Sequence, residues 1–122
     1  MRTTVLVVDD HAAFRARARV MLETEGFDVV GEAEDARSAI AEAARLRPDV
    51  ALVDVQLPDG DGFDVTERLR RSGTARRIIL ISGREREDYG GRVERSGADG
   101  FISKGDLSGD RLVDLLSRDA DA

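Results

Sequence analysis

The chain contains no cysteine and no tryptophan, one tyrosine, one histidine, one lysine and two prolines. Without cysteine there is no disulfide and no thiolate metal site, and a cytoplasmic location is the default expectation. With only Tyr89 besides four phenylalanines, little is available to stack on a flavin ring. No apolar run approaches the ~20 residues of a membrane-spanning helix, and no signal-peptide pattern precedes the first strand-like segment. The formal net charge of −6 argues against direct nucleic-acid binding, which wants a clustered basic face. Of the 19 basic residues only Lys104 is a lysine. So sparing a use of lysine raises the question of what a compact, flexible ammonium does there that a planar guanidinium could not.

What is present fits one globular domain. At 122 residues, 41% hydrophobic and 36% charged, the chain is long enough to bury a real core and polar enough to stay soluble. It is organised around Pro48 to Phe63. Val50 to Val53 is a short apolar run of the kind that fills a strand buried on both faces, and it ends on Asp54. Pro58, Gly60 and Gly62 then forbid a continued strand and force a tight loop.

The rest of the chain alternates. Thr3 to Val8 reads as a strand ending on Asp9-Asp10, followed by a helix with Phe14, Ala18, Met21 and Leu22 on one face and Arg15, Arg17 and Arg19 mostly off it. Gly26 stops it. Phe27 to Ala33 is a second strand weakened by Gly31. Asp35 is a good N-cap for a second helix with Ala36, Ala39, Ile40, Ala43 and Leu46 as its buried stripe. A third helix is expected from about Asp64 to Arg71. Arg77 to Ser82 is a fourth strand, Arg84 to Ser96 a weaker helical segment, and Gly100 to Ser103 a fifth strand. Ser108 is placed to cap a last helix carrying Leu112, Leu115 and Leu116. Five strands alternating with five helices, spaced roughly 20 to 25 residues apart, predict an α/β fold. The expectation is a flavodoxin-like, doubly wound five-stranded parallel sheet in the order 2-1-3-4-5.

Chemistry gathers at the carboxyl ends of these strands, where open parallel sheets bind ligands. The first strand offers Asp9 and Asp10, the third Asp54, the fourth Ser82 and the fifth Lys104. Crowded carboxylates repel one another and raise each other's pKa; a hard divalent cation relieves this. Mg2+ takes one or two carboxylates and leaves positions for phosphate oxygens. A carboxylate can attack a phosphoryl group and hold it as an acyl phosphate. Singly, each residue has an ordinary alternative: an Asp after a strand caps a turn, a lone Ser sits in a loop, a lone Lys is solvated. Jointly they make one phosphoryl-binding set.

These motifs resemble the receiver domain of the two-component response regulators, over residues 3 to about 118. The matching segments are Val-Leu-Val-Val-Asp9-Asp10-His11, Val53-Asp54-Val-Gln-Leu-Pro58-Asp-Gly60-Asp-Gly62, Ile-Leu-Ile-Ser82-Gly83 and Gly97-Ala98-Asp99-Gly100-Phe101-Ile-Ser-Lys104. The first and last are similar to the NarL-like subgroup. The resemblance implies that Asp54 is the phosphoacceptor for a sensor histidine kinase. Asp10 and Asp54 would coordinate Mg2+, with Asp9 acting through water and the Gln56 backbone carbonyl completing the site. It further implies that Ser82 is the switch hydroxyl and Lys104 the phosphate-pairing lysine. Phe101 would be the switch aromatic, turning from an exposed to a buried rotamer on phosphorylation. A downstream protein or phosphotransfer partner would read the change on the fourth helix, fifth strand and fifth helix, and a homodimer on phosphorylation belongs to the same picture. His11 is expected to be a partly solvated loop residue, since Mg2+ prefers oxygen.

Three departures stand out. Gly105 follows Lys104 where the family usually has proline, often through a cis bond; a trans bond or a strained loop is expected, because a non-proline cis bond costs ~2.5–4 kcal/mol. Gly90-Gly91 interrupts the fourth helical segment and predicts fraying or a break near Gly90. The helix-turn-helix output domain usual in the subgroup is missing, and the acidic tail leads us to expect a stand-alone receiver occupying residues 1–122. Three alternatives compete. A Mg2+-dependent aspartyl phosphatase of the haloacid-dehalogenase type would need an Asp where Gln56 stands. A receiver-like module that never takes phosphate would be expected to lose part of the acidic, hydroxyl and lysine set. A flavin-binding protein of the same fold would need aromatic residues this chain lacks.

Overall fold

The computed structural model describes residues 2–120, with side chains described through residue 117. Five parallel strands, β1 (Thr4–Val8), β2 (Asp28–Ala33), β3 (Val50–Asp54), β6 (Arg77–Ser82) and β7 (Gly100–Ser103), form one sheet in the order β2-β1-β3-β6-β7. This is the expected 2-1-3-4-5 order. Helices α1 (Ala12–Thr24), α2 (Ala36–Leu46), α3 (Gly62–Ser72), α4 (Arg92–Ser96) and α5 (Gly109–Ala120) link and flank the strands. A two-residue hairpin, β4 (Gln56–Leu57) with β5 (Gly60–Asp61), follows β3. It was expected only as a tight loop.

Both faces of the sheet are covered, so its central strands are apolar through their interiors and the two-residue alternation divides those residues between two cores. Leu6, Val8, Ala51, Val53, Ile78 and Leu80 face α2 and α3, packing with Ala39, Ala43, Val65 and Leu69. Val5, Val7, Val50, Leu52, Ile79 and Ile81 face the other way, packing with Phe14, Ala18 and Leu22 of α1 and with Leu112 and Leu115 of α5. Leu52 is fully buried; truncating it to alanine would cost about 2–5 kcal/mol through lost contacts and a residual cavity.

Local signals set the ends of the elements. Asp35 caps α2, accepting from the Ser38 backbone N–H at 2.8 Å, with the Ser38 hydroxyl completing a capping box. Asp59 adds a second cap from a distance, accepting from the Ala36 and Arg37 backbone N–H groups at 2.7 and 3.1 Å. The helix is thereby tied to the loop that follows Asp54. Helix α3 starts at Gly62, earlier than its expected Asp64, because Asp61 is its N-cap and accepts from the Asp64 N–H. Gly62 must be glycine: a Cβ there would lie 2.4 Å from the Asp54 carbonyl oxygen. The Ser108 hydroxyl caps α5 as expected, accepting from the Arg111 N–H at 3.0 Å.

The expected fourth helix is broken. Arg86–Tyr89 forms a 3-10 turn, and α4 proper is only five residues. Between them Gly90 adopts φ +57 and ψ −132, a conformation side-chain-bearing residues avoid. An Arg86–Glu94 ion pair, Nη2 to Oε1 at 2.5 Å, spans the break. Gly31 marks a register shift between β1 and β2, and its missing side chain leaves room for Leu46. Among the described residues no peptide bond is cis, including the one after Lys104.

Candidate functional site

The strand ends converge as expected. Asp9, just beyond β1, has a fully buried carboxylate. Its Oδ1 accepts from the His11 backbone N–H at 2.8 Å and lies 3.0 Å from His11 Nδ1. Its Oδ2 has no aligned hydrogen-bond donor; its partner is the Lys104 ammonium, an ion pair at 2.5 Å. Asp10 is partly exposed, with Oδ1 3.0 Å from the same His11 nitrogen. Asp54, the last residue of β3, is buried; Oδ2 lies 3.3 Å from Lys104 Nζ, and Oδ1 accepts a long bond from the Gln56 N–H at 3.3 Å.

Lys104 thus bridges two buried carboxylates from two neighbouring strands. Its ammonium also stands 4.6 Å from the centroid of the Phe14 ring, a cation–π contact. Burial pushes the Asp54 carboxyl up, the Asp9 charge pushes it further, and Lys104 only partly opposes them, so its pKa is raised. Burial acts upward on Asp9 too, but there the Lys104 ammonium and the His11 contacts win and the net shift is down. Burial would lower Lys104, yet its two carboxylate partners hold it above the ordinary lysine value. The pocket holds its lysine charged and makes full ionisation of both buried aspartates costly.

The donor set fits a hard cation. Asp9, Asp10, His11 and Asp54 each offer one ligand atom, and these atoms all lie within 4.8 Å of one another. Three are carboxylate oxygens, the donors Mg2+ takes, and Asp9 Oδ2 is buried without a donor aligned on it. The exposed His11 ring bridges Asp9 and Asp10 through one nitrogen, as a loop residue beside the pocket. Gln56 stands at the pocket edge through its N–H.

Ser82 ends β6 at 3% exposure. Its Oγ accepts from the Arg84 N–H at 3.0 Å and lies 2.6 Å from the Tyr89 hydroxyl. Phe101 corrects an expectation: it is buried in this structure, at 7% exposure, with the Tyr89 ring 5.9 Å away. The Tyr89 ring beside it and the core beneath hold it in an inward position here. In the sequence Tyr89 stands out only as the single tyrosine, and Phe14 only as one residue of an apolar helix face. An isolated aromatic in an otherwise charged segment was the one available signal for Tyr89. Arg15 lies off the apolar face of α1 as expected, but is half-buried, donating to the Asp9 carbonyl at 2.7 Å and to Glu32 at 3.0 Å.

Sheet order and pocket together define a doubly wound α/β domain with an acidic, lysine-bridged site at the carboxyl edge of its sheet. The chain belongs to the response regulator receiver domain family, whose model matches residues 5–117. The response regulator GacA of Pseudomonas aeruginosa is 35% identical over 102 residues, covering 83% of this chain and 48% of its own length. The chain spans about half the length of the curated relatives it matches. The signal receiver domain of a response regulator designated NarL from Mycobacterium tuberculosis superposes with a TM-score of 0.84 at 31% identity, covering 99% of this chain and 98% of that one. A LuxR-family two-component response regulator from Aurantimonas superposes with a TM-score of 0.83 at 28% identity, covering 97% of this chain and 84% of that one. The resemblance to the NarL-like subgroup therefore holds in sequence and in fold, and the chain is a receiver domain of two-component signalling.

Proposed function

We propose that the domain accepts a phosphoryl group from a sensor histidine kinase onto Asp54, with Mg2+ held by Asp10 and Asp54, Asp9 through water, and the Gln56 carbonyl. The supporting observation is the Lys104 ammonium set between Asp9 Oδ2 and Asp54 Oδ2 at the carboxyl edge of the sheet. An Asp54 oxygen attacks phosphorus while the P–N bond of the donor phosphohistidine breaks and its electron pair leaves with the imidazole. Asp54 is the nucleophile, and Lys104, already beside it, offers a point charge to a phosphoryl oxygen. Ser82 offers a hydroxyl to another. Mg2+, when bound, supplies charge neutralisation and a coordination position for a phosphoryl oxygen.

The role is signalling, and any self-phosphorylation or slow dephosphorylation serves it. The surface a downstream protein or phosphotransfer partner reads comprises α4, β7 and α5, and phosphorylation-dependent homodimerisation and a cytoplasmic location belong to the same reading. Intact mass after incubation with Mg2+ and acetyl phosphate tests it. A stable adduct of one phosphoryl group per chain, lost in Asp54→Asn, is expected. An undiminished adduct in that variant would reject the assignment; rapid turnover of donor without an adduct would favour the aspartyl phosphatase.

A further inference from the structure

Tyr89 is tied to Ser82 by a short contact between their hydroxyl oxygens, at 2.6 Å. Ser82 Oγ carries one proton and two lone pairs. The Arg84 backbone N–H occupies one lone pair at 3.0 Å. The Tyr89 hydroxyl lies 2.6 Å away, and either oxygen has the geometry to donate. Chemistry decides the direction. A phenol hydroxyl is a better donor and a poorer acceptor than an aliphatic alcohol, so the bond is assigned from Tyr89 to Ser82. Both lone pairs of Ser82 are then taken, and its own proton is left for an acceptor.

We infer that the Tyr89 hydroxyl is a positioning group for Ser82, setting the serine hydroxyl as a donor toward a phosphoryl oxygen on Asp54. This role rests on the phosphoacceptor reading above. A phosphoryl oxygen only accepts, so a serine whose proton were committed elsewhere would have to break a bond before binding it. Tyr89 removes that cost.

The rest of the segment holds Tyr89 in place. Its ring packs edge-on against Phe63 with centroids 5.5 Å apart, and against Phe101 at 5.9 Å. The turn at Gly90 ends the 3-10 stretch directly after Tyr89, so the tyrosine is carried by the loop above β6 and not by α4. The Ser103 hydroxyl contacts the Arg84 carbonyl at 3.2 Å and Glu85 Oε2 at 3.0 Å, pinning the loop to the end of β7. The glycine break and the hydroxyl pair therefore belong to one arrangement.

The test uses the whole chain, Mg2+ and acetyl phosphate. Tyr89→Phe removes the hydroxyl and keeps the ring contacts. It is expected to slow adduct formation about 3- to 10-fold, the loss of one neutral hydrogen bond. Combined with Ser82→Ala it should be no slower than Ser82→Ala alone, because the tyrosine acts only through the serine. A purely structural role in packing would instead give losses that add. Tyr89 is the only tyrosine and there is no tryptophan, so intrinsic fluorescence reports on this residue alone. Ser82→Ala should change that emission before any phosphodonor is added. An unchanged rate in Tyr89→Phe, additive losses, or an emission indifferent to Ser82→Ala would each overturn the role. If wild-type protein takes no phosphate at all, the phosphoacceptor reading falls and this role with it; an emission that still responds to Ser82→Ala marks that failure as one of function, with the bond itself intact.

Discussion

The Lys104 ammonium lies 2.5 Å from Asp9 Oδ2, although the two residues stand 95 positions apart in a chain that has no other lysine. Asp9 is fully buried, and Lys104 is the only cation against that oxygen among the described residues. Removing the lysine would leave two carboxylates facing each other at the edge of the sheet. Lys104→Met should therefore destabilise the metal-free protein. The loss should fall below the ~3–5 kcal/mol of a fully buried pair, because Lys104 is itself partly solvated. Mg2+ should restore much of it. Thermal unfolding with EDTA and with Mg2+ checks both statements; a variant as stable as wild type in EDTA would contradict the first.

Asp54→Asn should have the opposite effect on stability while abolishing the adduct. The Asp54 pKa is raised in the folded state by burial and by the Asp9 charge, so its ionised form opposes folding. The sign follows from linkage: the penalty is absent below the unfolded pKa, grows as pH rises through the folded pKa, and is full above it. In metal-free buffer the variant should be more stable than wild type at neutral pH, and the difference should shrink toward acid. Urea unfolding at several pH values measures it. A difference that stays constant down to pH 3 would assign it to some other cause.

Cation binding should depend on Asp10 as well as on the buried pair. Asp10 is the partly exposed carboxylate of the cluster, so Asp10→Ala should remove a ligand without opening the core. Wild-type melting temperature should rise with Mg2+ concentration by mass action, and the variant's should rise less. Calorimetric titration gives the affinity directly, and equal affinity in the two proteins would misplace the ion.

The segment around Gly90 should exchange amide protons faster than α1 in the unphosphorylated protein. Its backbone hydrogen bonds are those of a 3-10 turn and a five-residue helix, and the Arg86–Glu94 pair bridging them is exposed. The two glycines should respond differently. Alanine at Gly91, the N-cap residue of α4, meets only the flexible end of Arg95 and should be tolerated with little change in stability. Alanine at Gly90 cannot hold the present backbone and should drive the segment toward another conformation. With both substitutions protection across Glu87 to Glu94 is expected to rise, and the phosphate dependence of partner binding to change. Protection equal to α1 in the wild type would end this view of the segment.

The strands, their order, the caps at Asp35 and Ser108 and the residues of the acidic pocket were legible in the chain itself. Apolar runs buried on both faces and punctuating Gly and Pro are local signals, and a parallel sheet with short connections leaves few topologies. The break at Gly90 was legible for the same reason: two adjacent glycines weaken a short helix locally. Packing alone decided the rest. That Phe101 is buried, that Tyr89 reaches Ser82, that Asp59 caps a helix 22 positions earlier and that Phe14 backs Lys104 all depend on distances between elements remote in sequence. Periodicity places a residue on a face; only the assembled layers decide which atom from another element meets it there.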